Sequence, residues 1–333
     1  MSDPQTWREL LGQIIENPRE KQRLAGELGI RPITLTRWAH EKIRPRLSNL
    51  LLLVKALPKH RKQLIDLIPK EFPEFTAMAL VVEDSPKEVP ASFYAQVLNA
   101  LADLPQVVRF ASVCDLILQQ ALEQLDPNRV GMEITIARCM PPSPLSGNMI
   151  RSLREDLGRG THPWERELTE KTMFLGAEAL AGYVVTFGRA RAIQNHEEGQ
   201  LWFPAHWVEG EESAAACPIL RGGRIVGCLL ISCTEPNYFL PSRLTLLQNY
   251  ANLVMLTFER EEFYALDCVA LRIMPSYEVQ LSHFANFKRR VSDTMVQALR
   301  NRQPITVLQA EQLVWQQIEE ELIQLAPQPD TGA

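Results

Sequence analysis

The sequence lacks any apolar run long enough to cross a membrane. Its longest apolar segments, 50–54 and 225–232, fall far short of the roughly 18 residues that indicate a spanning helix. The first residues, MSDPQTWREL, also lack the charged and then apolar pattern of a secretion signal. We therefore expect a cytoplasmic protein that has no membrane partner.

Paired cysteines and catalytic motifs are also lacking. The six cysteines contain no C-x-x-C pair and no neighbouring histidine at zinc-ligand spacing, so we expect no metal site and reduced, mostly buried thiols. Cys228 and Cys233 differ in parity along one predicted strand, which predicts that they lie on opposite faces of a sheet. The sequence has no nucleophile–base pattern, phosphate-cradling loop or kinase signature, so we expect no enzymatic activity.

Basic residues are concentrated near the start of the chain. The 333 residues, 46% hydrophobic and 23% charged, are enough for two or three domains at ~100–200 residues each. Segment 19–62 contains twelve basic and three acidic side chains, a net charge of +9 that leaves -14 for the rest of a chain with net charge -5. This asymmetry indicates that a basic module binds a polyanion.

The basic module has the pattern of short helices around a tight corner. Apolar residues at helical spacing predict one helix before Asn17 and a second from Pro18 to about Leu28. Gly29 suits the left-handed conformation that ends a helix, and Pro32 opens the next. A corner of about three or four residues is what a helix-turn-helix requires, and further helices after it predict an all-α domain of five.

This segment resembles the helix-turn-helix domain of phage-repressor-like bacterial regulators, the XRE family. The resemblance covers about residues 7–70 and rests on Leu24-Ala25, Leu28-Gly29-Ile30, Leu35-Thr36-Arg37-Trp38 and Pro45. It implies that the helix after the corner enters the major groove of double-stranded DNA. The residues that it implies for the base side are Arg31, Ile33, Thr34, Thr36 and Arg37. Those implied for phosphate contacts are Lys21, Lys42, Arg44 and Arg46.

Arg37 is the best candidate for a bidentate contact with guanine. Ile33 is a base-side candidate only if it does not belong to the core. The alternative interpretation is that these cations merely solvate a small helical domain.

A different pattern follows a proline-rich and acidic linker at 73–90. Predicted helices at 92–104 and 107–125 precede predicted strands at 132–137, 189–194, 213–220 and 224–233, and a long helix at 241–258 closes the series. Gly222-Gly223 suits a two-residue hairpin turn between the last two strands. The order predicts an antiparallel sheet with helices on its faces.

Four segments of this region resemble a GAF domain, a relative of PAS that senses small molecules. They are 174–182 (FLGAEALAG), 186–193 (TFGRARAI), 217–219 (CPI) and 222–229 (GGRIVGCL). The resemblance implies a GAF-like domain over 91–265 and a ligand between the sheet and its covering segments. The aromatic segment that follows the 189–194 strand contains Trp202, Phe203, His206 and Trp207, which either stack on a planar ligand or simply pack against the sheet. The sequence identifies neither a ligand nor a cofactor.

Two amphipathic helices are predicted at 276–299 and 305–325, within a C-terminal helical segment at 266–325. Their apolar stripes must be buried against the GAF-like domain or a second subunit, and the polar tail 326–333 is expected to be disordered. The fold class predicted for the chain is multidomain α+β: an all-α helix-turn-helix domain (1–72), a GAF-like antiparallel sheet with flanking helices, and C-terminal helices.

Helix-turn-helix proteins of this kind read two half-sites about 34 Å apart, so we expect a homodimer. The interpretation favoured by the sequence is a DNA-binding transcriptional regulator in which the GAF-like domain senses a small molecule or another signal. One alternative is a DNA-binding regulator whose GAF-like domain is only a dimerisation or protein-docking platform. Another is a cysteine-based GAF enzyme.

Overall fold

The computed structural model describes residues 4–40, 42–57, 60–73, 75, 88–143, 147–164, 172–203 and 210–325. The chain divides into two compact units, Met1–Ser85 and Pro86–Ala333. The predicted mixed α+β class is confirmed, with a helical first unit and an antiparallel sheet with flanking and C-terminal helices in the second. Most of the predicted linker, and the whole predicted tail, lie outside the described residues.

Within the described residues of the first unit, five short α-helices and a 3-10 turn (Ile68–Lys70) surround one core. They are α1 (Trp7–Ile15), α2 (Pro18–Glu27), α3 (Pro32–Ala39), α4 (Leu47–Ala56) and α5 (Arg61–Leu67). The side chains of Thr6 and Asn17 accept hydrogen bonds from backbone N–H groups in the first turns of α1 and α2, which satisfies donors that a helix leaves unpaired. Leu11, Leu35 and Trp38 lie in the core.

The second unit is built on a seven-stranded antiparallel sheet. Its strands are β1 (Met132–Cys139), β2 (Leu153–Gly160), β3 (Phe174–Leu175), β4 (Arg191–Ile193), β5 (Ser213–Arg221), β6 (Arg224–Cys233) and β7 (Tyr264–Ala265). The strand order is β3-β2-β1-β6-β5-β4, and β7 pairs with the start of β6. A bulge in the β5–β6 pairing follows Ile219 and shifts the register by one residue.

Helices cover both faces of this sheet. The helices α6 (Ala91–Asp103), α7 (Gln106–Leu125) and α10 (Pro241–Val254) share one apolar core with Ile134 and Leu229. On the opposite face, α8 (Leu180–Phe187) packs against Ala216 and Cys228. The short α9 (His196–Trp202) follows β4. Across the part of the chain that the structure describes, no helix combines the length and apolar content that a bilayer crossing needs.

The C-terminal helices pack against the body of the second unit. They are α11 (Tyr277–Phe284), α12 (Phe287–Arg300) and α13 (Val307–Leu325). Val314 and Ile318 of α13 share a core with Met140 and Phe174, so part of the predicted apolar stripe is buried within the chain itself. The helix predicted at 276–299 is in fact two helices, and the break lets both Phe284 and Phe287 pack on the ring of Trp315.

Strand β2 was not predicted, because its sequence LREDLGRG has no alternating apolar pattern. Partners from other elements compensate its charged groups. Asp156 pairs with Arg138 at 2.6 Å, Arg159 pairs with Asp115 of α7, and the guanidinium of Arg154 lies over the ring of Trp315. The interior position of this strand therefore depends on ion pairs that its own sequence does not reveal.

Candidate functional site

A short corner joins α2 to α3, as the sequence predicted. Gly29 has φ +65, the left-handed conformation predicted for it, and no atom lies within 4 Å of the position that a Cβ would occupy there. The N–H of Ile30 donates to the carbonyl of Ala25 at 3.0 Å, closing the end of α2. Four residues, 28–31, separate the two helices.

Helix α3 has one buried and one exposed face. Leu35 and Trp38 are buried, whereas Arg31 and Arg37 are exposed and Thr34 is half-buried. Ile33 is 53% exposed, so it does not belong to the core. The exposed face therefore presents two cations and one apolar side chain.

The Thr36 side chain is half-buried, and its hydroxyl is turned away from solvent. Its hydroxyl oxygen is buried and has no hydrogen-bond partner among the described residues, although the sequence placed it on the base side. At about 100° per residue, Thr36 lies at the boundary between buried Leu35 and exposed Arg37, and its hydroxyl faces the protein. Because the Thr36 side chain as a whole is half-buried, like that of Thr34, its base-side role stays a prediction.

A buried arginine connects α3 to the rest of the unit. Arg8 donates from Nη2 and Nε to the two carboxylate oxygens of Glu71, at 2.6 and 2.8 Å, and from Nη1 to the carbonyl of Trp38. The indole N–H of Trp7 donates to Glu71 at 2.8 Å. These hydrogen bonds, the one from Arg8 foremost, hold the pKa of Glu71 below its ordinary value. The network fixes the C-terminal end of α3 relative to α1.

The residues predicted to contact phosphates surround the same helix. Lys42, Arg44 and Arg46 are exposed after α3, and Lys21 is half-buried on α2. The guanidinium of Arg44 lies 4.6 Å from the ring centroid of Phe72, so this side chain also packs on the domain. Arg46 is the N-cap residue of α4, and the N–H of Lys42 donates to the carbonyl of Arg37.

The second unit has a polar region on the sheet face that α8 covers. Thr135 on β1 and Glu155 on β2 are buried and joined by a hydrogen bond of 3.3 Å. Ser232 on β6 donates to the buried carboxylate of Glu211 at 2.7 Å. Buried polar groups on one face of a sheet are an arrangement that can bind a polar ligand.

An arginine and two aromatic rings lie at the β4 edge of the sheet. The guanidinium of Arg191 is 5.2 Å from the ring centroid of Trp202 and 5.9 Å from that of Tyr183, and it pairs with Glu198 at 3.4 Å. Trp202 is 55% exposed, whereas Phe203 is buried in the core beneath α8. The predicted ligand residues His206 and Trp207 lie outside the described residues.

Phe203 thus packs in a core and Trp202 is exposed, and a ligand role for either residue stays a prediction. Arg191 and Tyr183 were not singled out from the sequence, although Arg191 lies within the segment TFGRARAI that resembled a GAF domain. Arg191 lies on β4, between α8 and α9 in the chain, and β4 pairs with β5.

The cysteines are mostly buried, as the sequence predicted. Burial raises the pKa of the Cys217 thiol to about 12. It raises the pKa values of the thiols of Cys114, Cys139 and Cys233 to about 12 as well. Cys228 and Cys233 lie in the cores on opposite faces of the sheet, as their parity predicted. Thiols with such pKa values are protonated near neutral pH and are poor nucleophiles.

The second unit thus has an antiparallel sheet with helices on both faces and a buried polar region on one of them. Residues 107–259 match the family described as the GAF domain, which confirms the resemblance for this segment. The chain thus contains a GAF domain, a signal-sensing or docking module. No curated protein matches the chain significantly.

Several solved structures are similar to the second unit. The GAF domain of an Acinetobacter phosphoenolpyruvate-protein phosphotransferase is 12% identical over 50% of this chain and 89% of that chain, with a TM-score of 0.35. The free methionine-R-sulfoxide reductase of Thermoplasma acidophilum is 12% identical over 47% of this chain and 97% of that chain, with a TM-score of 0.34. The free methionine-R-sulfoxide reductase of Neisseria meningitidis is 14% identical over 49% of this chain and 84% of that chain, with a TM-score of 0.33. Such values carry no inference about activity.

The expectation that the protein has no enzymatic activity requires correction. The similar solved structures include enzymes, the free methionine-R-sulfoxide reductases. The lack of a known catalytic motif in the sequence is therefore not a ground for excluding catalysis.

Proposed function

We propose that the protein is a cytoplasmic, DNA-binding transcriptional regulator in which α3 reads double-stranded DNA and the GAF domain is a dimerisation and docking module. The observation that supports this most is the exposed face of α3, on which Ile33 and Arg37 lie about one helical turn apart, with Arg31 exposed at the start of the helix. An apolar side chain that is half exposed on a short helix gains by burial against a thymine methyl group, while arginine pairs with guanine.

The charge of the first unit supports the same proposal. Residues 1–85 contain 14 basic and 11 acidic side chains, although the whole chain has net charge -5. The cations after α3 are exposed beside it, in the region where a helix-turn-helix meets the phosphate backbone. A homodimer would supply a second DNA-binding unit for a site with two half-sites.

A salt titration of the full chain against duplex DNA tests the proposal. We expect log K to fall linearly with log salt concentration, and Lys42→Ala and Arg46→Ala each to lower the slope by about 1. Arg37→Ala should cost about 1–3 kcal/mol on a duplex selected for tight binding. The matched control is Arg23→Ala, because the guanidinium of Arg23 is already bound to Glu20 and Glu27 at 2.7 Å.

Two outcomes would contradict DNA reading by α3. One is no salt-dependent binding by either the full chain or the isolated first unit. The other is an equal loss of affinity for Arg37→Ala and for the Arg23→Ala control.

The polar face of the GAF sheet supports a second candidate, in which the domain senses a small molecule. Thr135, Glu155 and Glu211 are all less than a tenth exposed, and a few polar groups within a largely apolar site are typical of small-molecule binding sites. A sensed ligand must change the affinity for DNA, and DNA must change the affinity for the ligand by the same factor. A ligand that raises the melting temperature and leaves the affinity for DNA unchanged would favour the docking role instead.

A further inference from the structure

The β5–β6 hairpin places two arginines directly opposite each other. Gly222 and Gly223, with φ +59 and +77, form its turn, and Arg221 and Arg224 are the paired residues that flank it. Together with Arg260 and Phe263, these residues line a cleft of about 350 Å³. This cleft lies at one end of the sheet and does not include the polar region around Thr135.

The charges in this cleft are not balanced by neighbours. All three arginines are exposed, and none forms an ion pair with a carboxylate among the residues that the structure describes. Of the three glutamates beside Arg260, Glu262 binds Arg138 at 2.6 Å and the side chain of Glu259 caps its own turn. The third, Glu261, is exposed and forms no ion pair with the cleft arginines among the described residues. Residues 86–333 contain 21 basic and 29 acidic side chains, so this is a local cluster of positive charge in an acidic unit.

The arrangement costs stability unless an anion lies between the cations. Like charges directly opposite each other on a hairpin destabilise strand pairing. The Nε of Arg224 donates to the carbonyl of Phe263 at 2.9 Å, which orients this guanidinium and uses only one of its five N–H donors. The remaining donors are suited to the oxygens of an anion.

We propose that this cleft binds a phosphate group. Arg221, Arg224 and Arg260 would share its oxygens through charge-assisted, bidentate hydrogen bonds, and the buried Phe263 would form the floor. A phosphate matches three guanidinium groups better than a single carboxylate does, because it carries more than one negative charge and three or more acceptor oxygens. This proposal does not depend on DNA reading by α3.

Calorimetric titration of the full chain with pyrophosphate tests the proposal. We expect binding that weakens with added salt, and an affinity roughly tenfold or more lower in the Arg221→Gln/Arg224→Gln double variant and in Arg260→Gln. Arg300→Gln is the matched control, because Arg300 is an exposed arginine on α12 outside the cleft. Its affinity should equal that of the wild type.

The unfolding midpoint separates a binding role from a structural one. Because the double variant removes a like-charge pair, its midpoint should be equal to or higher than that of the wild type. A lower midpoint together with unchanged pyrophosphate affinity would overturn the proposal. So would no binding of millimolar pyrophosphate by the wild type, or equal losses in the cleft and control variants.

Competition with a short DNA duplex identifies the source of the phosphate. Displacement of pyrophosphate by duplex from both the wild type and Arg37→Ala would indicate phosphates of a nucleic acid. Binding of pyrophosphate that duplex does not displace would indicate a free phosphorylated molecule. Either result supports the proposal that the cleft binds a phosphate group. The proposal would also be unaffected if the α3 variants did not change DNA binding.

Discussion

Glu71→Gln tests how the first unit holds α3 in place. The change removes the charge that Arg8 binds through two hydrogen bonds, while Arg8 itself stays almost fully buried, with a side chain 7% exposed. Breaking a buried ion pair costs about 3–5 kcal/mol, and exposed pairs contribute about 0–1 kcal/mol. Since the Glu71 side chain is 38% exposed, water partly replaces it, and we expect a loss of about 1–3 kcal/mol.

Hydrogen–deuterium exchange of the full chain measures this loss locally. A loss of about 1–3 kcal/mol corresponds to roughly 5- to 150-fold faster exchange of protected amides in α1 and α3. The matched control is Glu20→Gln, since the Glu20 side chain is 41% exposed and pairs with Arg23 within the same helix. Relative to the wild type, the exchange rates should change less in Glu20→Gln than in Glu71→Gln.

The pH dependence has a defined sign. The pKa of Glu71 in the folded protein is below its ordinary value of 4.5, so the stabilisation is complete above that pH and is lost as the pH falls through the folded pKa. The difference between the wild type and Glu71→Gln should therefore shrink in acid. Equal exchange rates in the wild type and Glu71→Gln at neutral pH would refute the proposed role of Glu71.

Three further predictions concern single residues. Gly29→Ala should lower the melting temperature of the first unit by several degrees, because the left-handed backbone costs a residue with a Cβ about 1 kcal/mol; calorimetry measures this. Gln280→Leu should destabilise the second unit by about 1–3 kcal/mol in urea unfolding, because the Gln280 amide bonds both the N–H and the carbonyl of Phe174. Among the described cysteines, iodoacetamide should modify Cys268 first in the native protein, because the other five thiols are buried; mass spectrometry of peptides identifies the site.

Most elements with a strong local pattern were predictable. The helices at 92–104 and 107–125 and the hairpin strands at 213–220 and 224–233 lie within a few residues of α6, α7, β5 and β6. Each follows from apolar periodicity and from turn residues such as Gly222 and Gly223, which act over a few residues of chain. The base-side residues of α3 were predicted from a resemblance and stay predictions, and the structure adds that the Thr36 hydroxyl is buried.

The elements and sites that escaped prediction depend on contacts between distant residues. β2 is interior because Arg138 and Asp115 compensate its charges, and neither lies near it in sequence. The cleft at the hairpin likewise requires Arg260 to approach Arg221 and Arg224. No local pattern encodes these approaches.

The sequence by itself determined where helices and hairpins form, that the first unit is basic, and that Gly29 ends α2, because caps, turns and amphipathic periodicity depend on neighbouring residues. Tertiary structure decided which side chains face each other. Arg8 and Glu71 are 63 positions apart and Gln280 and Phe174 are 106 apart, yet each pair forms hydrogen bonds in or near a core. Burying a polar group costs free energy unless a partner is present, and only the folded chain brings that partner to it.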